Sequence, residues 1–291
     1  MQLHRYTQVV NLLPMSEKSR ERLLTQLFYQ TRGIYTHITL DKFISLFGQA
    51  QDRAQKVKLY FENGKIVGFT SWRVHRVKLA NGYYDVHRSV YMIKPHCRNA
   101  DSEKFLLSEI IKYNFTHLFS KATPVFLCSS EGPVTYYIMQ KYVPNIYPVA
   151  SNEQDRQLHQ LALNLVKKLN LPLRSEHPIT ITPVCKINDD TLNKKRWLTR
   201  KDDSVKYYLK HCPEYLDDNH TDNARALIIL FKCGFLPWFK SMFNFIRHKG
   251  VNWFSVKNNN QKLHTKTSLI TNPRTWFELG FAALVLAYFT F

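Results

Sequence analysis

Two Asn-Gly pairs constrain the centre of this chain more than any other feature. Asn63-Gly64 and Asn81-Gly82 each stand between runs rich in β-branched and aromatic residues. Asn-Gly between such runs is a strong short-range signal for a hairpin, because both turn residues must accept a positive φ. The sequence therefore predicts a three-stranded antiparallel meander over residues 57–62, 65–77 and 83–93.

Apolar side chains recur at helical spacing on both sides of the meander. Ser16 is suited to cap the first of these helices, and Pro133 stands where the first residue of a helix accepts proline. Helices are predicted over 16–33, 41–51, 102–113, 133–142 and 151–170, with short strands over 124–128, 179–187 and 227–231. The predicted fold class is mixed α/β (α+β), with a mainly antiparallel sheet flanked by helices and a hydrophobic C-terminal extension.

Changes in composition divide the chain into three segments. The predicted α/β domain spans residues 1–190. The polar and charged composition of 191–223 predicts a loop insertion, and residues 224–291 form an apolar C-terminal extension. Glu278 is the only charged residue within 276–291. This apolar stretch is shorter than the about 20 residues that a bilayer span needs. This tail and Trp238 predict association with a membrane surface, and a helix packed on the core is the alternative interpretation.

The net charge of +19 favours anionic partners such as phosphates or an anionic membrane surface. Nucleic acid is not an expected partner, because no binding motif and no basic stripe interleaved with aromatic residues is present. The five cysteines are widely spaced and form no C-x-x-C pair, which argues against a metal site and for a reducing compartment. With no secretory signal at the start, we expect an intracellular, cytoplasmic protein.

The segment after the meander carries a proline and an arginine, Pro95 and Arg98, after Ile93 at the end of a predicted strand, followed by Leu106 and Leu107 in the next predicted helix. These spacings resemble the pyrophosphate-binding loop of the GNAT superfamily of N-acyltransferases, and the order of helices and strands around them also matches. The resemblance implies a GNAT-like fold and acetyl-CoA or a longer acyl-CoA as the acyl donor. In such a loop, free N–H groups at a helix N-terminus hold the phosphates of the donor.

The resemblance implies a donor site on this loop. Ile93 would contribute backbone contacts, while Lys94, Arg98 and the amides near Ser102 would hold the phosphates. Both glycine positions of the motif carry acidic residues instead, Asp101 and Glu103. A carboxylate beside the phosphates would repel them, so these residues either cap the helix with altered donor binding or turn outward and leave the loop competent.

A second partial match gives candidates for the general acid. GNAT enzymes carry an asparagine after the next strand and, seven residues later, a tyrosine that protonates the leaving thiolate. Ser129 and Ser130 stand seven residues before Tyr136 and Tyr137 respectively, so the register is open by one residue. A phenol beside the thiolate suits this role, although a tyrosine on a helix face is often a core residue.

Candidates for the base that activates the amine lie on the third strand of the meander. Alternation along this strand puts Asp85 and His87 on one face, and histidine is the natural base near neutral pH. A hydrogen-bonded structural histidine fits the same pattern. The resulting hypothesis is an N-acyltransferase that moves an acyl group from a thioester to an amine-bearing acceptor by direct attack. The alternative is a non-catalytic GNAT-fold binding or scaffold protein at a membrane surface.

Overall fold

A computed structural model describes eleven ranges of the chain, all within a compact unit that spans Met1–Asn244. The described residues are 4–36, 38–47, 52–94, 97, 101–143, 145–150, 155–183, 186–187, 195, 197–216 and 224–234. Arg98, Pro95 and the segment after Gly234, which contains Trp238 and the apolar tail, lie outside these ranges.

Ten strands are present in the described ranges. They are β1 (Arg5–Asn11), β2 (Tyr35–Thr36), β3 (Asp52–Glu62), β4 (Lys65–Leu79), β5 (Gly82–Ile93), β6 (Thr123–Ser130), β7 (Leu173–Glu176), β8 (Ile179–Ile181), β9 (Lys186–Ile187) and β10 (Ala226–Lys232). Eight of them form one sheet in the order β1-β3-β4-β5-β6-β10-β8-β7, and β2 pairs with β9. The pairings of the large sheet are antiparallel except for that of β5 with β6. The predicted mixed, mainly antiparallel sheet is therefore confirmed.

Helices flank this sheet. They are α1 (Glu17–Thr31), α2 (Leu40–Phe47), α3 (Asp101–Thr116), α4 (Pro133–Tyr142), α5 (Arg156–Lys168) and α6 (Asp203–His211). The Ser16 side chain caps α1 by accepting a hydrogen bond from the Ser19 N–H, and Pro133 opens α4 as the sequence predicts. A short 3-10 helix, Pro213–Leu216, follows α6.

The sheet has two packed faces because side chains alternate along each strand. On the face we call the α1 face, α1 and α2 cover the apolar residues of the meander, and α5 covers those of β6 and β10. The opposite face, the α3 face, is covered by α3, α4 and α6. Trp72, Phe126 and Tyr136 are buried in the core of the α3 face.

The meander of β3, β4 and β5 matches the prediction, with β3 beginning at Asp52 instead of Val57. Asn63 and Gly64 occupy the first turn with φ values of 50° and 76°, as an Asn-Gly hairpin requires. In the second hairpin Leu79 pairs with Gly82, so the turn residues are Ala80 and Asn81.

The strand β10 belongs to the sheet although the sequence places it in the apolar C-terminal segment. It pairs with β6 from Leu227↔Ser130 to Lys232↔Val125, and its other edge pairs with β8. All of its residues from Ala226 to Leu230 are buried, which explains their unbroken apolar run.

The parallel pair β5–β6 separates partway along its length. Its pairing runs only from Tyr84↔Thr123 to His87↔Phe126, although β5 continues to Ile93 and β6 to Ser130. Beyond the separation, β5 remains paired with β4, and β6 remains paired with β10. We call the opening between 88–93 and 127–130 the fork.

Candidate active site at the fork

The fork exposes an edge of β5 that makes no ladder hydrogen bonds to β6. An extended ligand can add to a strand edge of this kind through backbone hydrogen bonds. The opening also lies at the carboxyl ends of two parallel strands, where α/β folds commonly bind ligands. The fork is therefore a candidate binding site for an extended ligand.

The start of α3 lies over the same region of the α3 face. The Asp101 carboxylate is 2.6 Å from Nζ of Lys58 on β3. Lys58 is paired with Thr70 of β4, which in turn is paired with Tyr91 of β5. The first N–H groups of α3 have no partners within the helix and carry the positive end of its dipole.

The Asp101–Lys58 ion pair bears on the acidic residues in the predicted phosphate loop. Lys58 is largely buried, and it neutralises a carboxylate that the sequence puts in place of a glycine. The backbone of Glu103 lies in the same helical turn, and its side chain is outside the described structure. Ser102 is buried at the start of α3.

Ile93 and Lys94 lie at the end of β5. Ile93 is buried in a small cluster with Tyr60, Val67 and Cys97, and the Lys94 N–H donates to the Val67 carbonyl. The neighbouring strand approaches closely here: a Cβ atom on Gly68 would lie 2.5 Å from Cα of Ile93. The backbone of β5 at the fork therefore has a fixed position.

The two serines at the end of β6 have different environments. Ser130 is fully buried, and its hydroxyl donates to the Gly132 carbonyl at 2.6 Å. Ser129 is partly exposed and pairs with Ile228. Since Ser130 already has a backbone partner, Ser129 is the more accessible of the two.

The two candidate acids on α4 also differ. Tyr136 is fully buried, its hydroxyl donates to the Pro148 carbonyl at 3.1 Å, and burial raises its pKa. Tyr137 is partly exposed, and the guanidinium of Arg200 lies 4.3 Å from its ring centre, with Trp197 next to both. Only Tyr137 has a side chain accessible to solvent.

Asp85 is buried and already has strong partners. Both of its carboxylate oxygens accept hydrogen bonds from Arg76 at 2.8 Å, and the Tyr113 hydroxyl donates to one of them. The residue lines a cavity of about 290 Å³ beside the end of α3 and the start of β6, together with Tyr113 and His117. This cavity adjoins the paired part of β5 and β6, before the fork opens.

His87 lies on the same face as Asp85, as predicted, and is fully buried. Its Nδ1 atom accepts a hydrogen bond from the indole N–H of Trp72 at 3.2 Å, and Tyr113 packs edge-on against its ring. Burial lowers the pKa of His87 to about 4, so the imidazole is neutral at neutral pH. These contacts make His87 a packed core histidine.

Sequence reasoning missed a polar cluster on the α1 face of the meander. Arg73 of β4 is paired directly with Arg88 of β5, and Asp52 of β3 is paired with His75 of β4. The His75 Nδ1 atom is 2.6 Å from the Asp52 carboxylate. Arg88 is the first residue of β5 beyond the parallel pairing, so this cluster reaches the start of the fork.

Asp52 and His75 form a carboxylate–imidazole pair. A carboxylate that accepts from Nδ1–H leaves the Nε2 lone pair of the ring available to take a proton. Nε2 of His75 is buried and has no hydrogen-bond partner among the described residues. Burial is the largest cause of its lowered pKa, and the charges of Arg73 and Arg88 contribute, so the ring is neutral at neutral pH.

Arg73 and Arg88 differ in how they are held. The Arg73 guanidinium donates to the Leu46 carbonyl at the end of α2, where helix carbonyls lack partners. Arg88 is partly buried, and its pKa is lowered to about 9, mainly by burial and then by the charge of Arg73. Asp52 is the only carboxylate in the described ranges that raises the pKa of either arginine.

Glu131 is a further residue that the sequence analysis did not select. It follows directly on β6 at the fork and precedes Gly132, the N-cap of α4. Burial raises the pKa of Glu131 to about 8, so its carboxyl group holds a proton at neutral pH. No sequence signal marks this residue, because its pKa depends on how α4 and α6 cover the strand end.

The arrangement of a three-stranded meander, a helix, a parallel strand that diverges and a second helix defines a divergent GNAT-like fold. Over the described ranges, no three His, Cys, Asp or Glu side chains gather closely enough to hold a metal ion. None of the helices in these ranges has both the length and the apolar character needed to cross a bilayer.

Comparison with known proteins gives structural but no sequence matches, since no protein-family model and no curated protein matches the chain. A Trypanosoma brucei acetyltransferase is 14% identical over 52% of this chain and 98% of its own, with a TM-score of 0.32. A GNAT-family acetyltransferase from Streptococcus pneumoniae is 12% identical over 78% of this chain and 99% of its own, with a TM-score of 0.31. A probable N-acyltransferase from Enterococcus faecalis is 12% identical over 48% of this chain, with a TM-score of 0.30, and this chain spans only 32% of its length.

Proposed function

We propose that this protein transfers an acyl group from an acyl thioester to an amine at the fork. The observation that carries the proposal is the end of the parallel pairing at His87↔Phe126, beyond which β5 and β6 no longer pair with each other. An extended pantetheine arm can pair with the edge of β5 there while phosphates lie at the helix N-terminus. Acetyl-CoA or a longer acyl-CoA is the donor that fits both features.

The donor would be held mainly by residues between β5 and α3. The backbone of Ile93 would pair with the arm, and Lys94, Arg98 and the amides near Ser102 would bind the phosphates. Lys58 supports this assignment because it neutralises Asp101 beside that position. The partly exposed Ser129 faces the opposite side of the fork and is the better placed of the two serines to contact the arm.

The reaction would proceed by direct attack. The neutral amine attacks the thioester carbonyl, a C–N bond forms, and collapse of the tetrahedral intermediate breaks the C–S bond. The amine loses a proton to a base, and the departing thiolate gains one from an acid. We assign the acid to Tyr137 over Tyr136, because the Tyr136 hydroxyl is buried and already donates to a backbone carbonyl.

For the base we favour the Asp52–His75 pair over the sequence candidates Asp85 and His87. His75 is paired with Asp52 through Nδ1, its Nε2 atom has no hydrogen-bond partner among the described residues, and it lies on the face that carries Arg88 at the start of the fork. Asp85 and His87, in contrast, have partners in Arg76, Tyr113 and Trp72. A role for either of them would require those contacts to break.

The test is release of free thiol from acetyl-, octanoyl- and palmitoyl-coenzyme A in the presence of a panel of amines, with mass spectrometry of the amide product. Removing the acid in Tyr137→Phe should lower kcat about a hundredfold. Tyr136→Phe serves as the matched control on the same helix and should affect stability more than kcat. Absence of amide product with every donor and amine would refute the proposal.

The second candidate function is a non-catalytic scaffold at an anionic membrane surface. The specific observation in its favour is an apolar patch at the end of α3, where Phe115 is 60% exposed and Phe119 is 95% exposed. Exposed aromatic residues beside Lys121 suit a lipid interface. Co-sedimentation with vesicles containing phosphatidylserine should weaken in Phe119→Ser and after removal of the residues that follow Arg274, and unchanged co-sedimentation in both variants would refute it.

A further inference from the structure

The charges on the α1 face of the fork do not balance within the described structure. Arg73 and Arg88 carry two positive charges, and Asp52 supplies the one negative charge that acts on them. His75 adds none, because its pKa is lowered and the ring is neutral. The sum of these charges is +1, in a largely buried environment.

An unbalanced buried charge is costly, and proteins usually supply a partner for it. Arg73 has a second role, since it donates to the Leu46 carbonyl at the end of α2. Within the described ranges, no structural contact of this kind explains the charge of Arg88. Its side chain is partly exposed at the point where β5 separates from β6. A ligand that reaches the reacting end of the donor would pass this guanidinium.

We infer that Arg88, supported by Arg73, binds a carboxylate of the amine acceptor, so that the acceptor is an amino acid or a related amino carboxylate. The inference rests on the proposed function. A guanidinium presents planar paired donors that match a carboxylate. One carboxylate, with a charge of −1, neutralises the net charge of +1. A phosphate, with a charge of about −1.5 to −2, would leave an excess of negative charge.

The geometry also gives the acceptor a direction. Donor phosphates belong at the start of α3 on the α3 face, while Arg88 and the Asp52–His75 pair lie on the α1 face. An acceptor anchored by its carboxylate on the α1 face would present its amine toward the fork. The carboxylate anchor and the proton acceptor would then lie on the same side of the reacting carbonyl.

Calorimetry with a product-like pair of ligands tests the inference without turnover. N-octanoylglycine carries the carboxylate, and N-octanoyl-ethylamine is the matched amide that lacks it. Wild-type protein should bind the first at least about tenfold more tightly, and Arg88→Gln should lose that preference while its affinity for the neutral amide is unchanged. Arg174→Gln, on β7 at the far edge of the sheet, is the matched control and should behave as wild type.

The outcomes separate the two proposals. Preference for the carboxylate ligand that disappears in Arg88→Gln supports the inference even if no amine is acylated, in which case the proposed transfer alone fails. Equal binding of both ligands, or a preference that survives in Arg88→Gln, overturns the inference even if acyl transfer is observed. Failure of the wild-type protein to bind either ligand overturns it as well. Circular dichroism of the folded variants distinguishes loss of the site from loss of the fold.

Discussion

Arg73 and Arg88 lie directly opposite each other on β4 and β5, and Asp52 supplies the one carboxylate in the described ranges that acts on them. Two cross-strand residues of like charge destabilise a sheet unless something compensates them. The pair is therefore a feature that stability alone does not explain. A site that binds an anion accounts for it.

Removing the charge of Arg88 should stabilise the protein when no ligand is present. Arg88→Met keeps an apolar stem of similar length and removes an uncompensated charge. We expect the free energy of unfolding to increase by about 1 kcal/mol, which corresponds to a rise of about 2–4 °C in the melting temperature. Arg76→Met is the control, because Arg76 is paired with Asp85 and its loss should lower the melting temperature. A lower melting temperature for Arg88→Met would contradict the charge count.

Burial of His87 should make stability depend on pH. Its folded pKa of about 4 is below the usual 6.5, so the unfolded chain binds more protons between these values. Stability is therefore complete above pH 6.5 and falls as the pH decreases toward 4, by up to about 3 kcal/mol from this residue. His87→Gln, which can still accept from Trp72, should lose that part of the pH dependence in urea unfolding at pH 7 and pH 4.5. An unchanged slope would mean that His87 is not buried in its neutral form.

Glu131 should produce a dependence of opposite sign. Its folded pKa of about 8 is above the usual value of 4.5, so its contribution to stability is present below pH 4.5 and is lost as the pH rises through 8. Glu131→Gln should therefore unfold at higher temperature than wild type at pH 9 and show little difference at pH 5. Identical melting temperatures at pH 9 would show that the carboxylate is solvated.

The Lys58–Asp101 ion pair should control donor affinity. In Lys58→Ala the Asp101 carboxylate is left unneutralised beside the phosphate position, and we expect acyl-CoA affinity to fall about tenfold. Lys58→Ala combined with Asp101→Asn should recover most of the affinity, because the repulsion is removed. Calorimetry with octanoyl-CoA measures both, and Lys65→Ala in the first hairpin is a control for loss of charge elsewhere. Equal affinities in the two Lys58 variants would contradict a role for the ion pair.

Gly68 should be sensitive to a single methyl group. A Cβ there would lie 2.5 Å from both Cα of Ile93 and the Met92 carbonyl oxygen, and these backbone atoms cannot rotate away. Gly68→Ala is expected to cost about 1–3 kcal/mol of the free energy of unfolding and to displace the end of β5. Gly33→Ala, which meets no atom within 4 Å, is the control for the substitution itself. Equal unfolding free energies would refute this close approach.

Local patterns predicted the central fold well. The Asn63-Gly64 turn and the N-terminal proline of α4 each express a single nearby constraint, and each lies where the sequence places it. The strand β1 was missed because it is a mostly exposed strand at the edge of the described sheet, where it pairs with β3. Its assignment depends on a pairing that no local pattern reveals.

The site was harder to predict because it depends on register. Taking Asn81-Gly82 as the turn would place Arg73 opposite Val90. The observed turn at Ala80 and Asn81 shifts the pairing by two residues and places Arg73 opposite Arg88. Likewise, alternation put Asp85 and His87 on the predicted face, but only the packing of α3 over them reveals their buried partners. Residue spacing indicates faces of a strand, whereas pKa values and charge balance arise from neighbours distant in sequence.

Hydrogen–deuterium exchange with octanoyl-CoA tests the central claim most directly. If the donor pairs with the open edge of β5, backbone amides in 88–93 should exchange more slowly when it is bound. Amides in 84–87, which already lie between β4 and β6, should change little. Binding without slower exchange in 88–93, or no binding at all, would contradict a donor site at the fork.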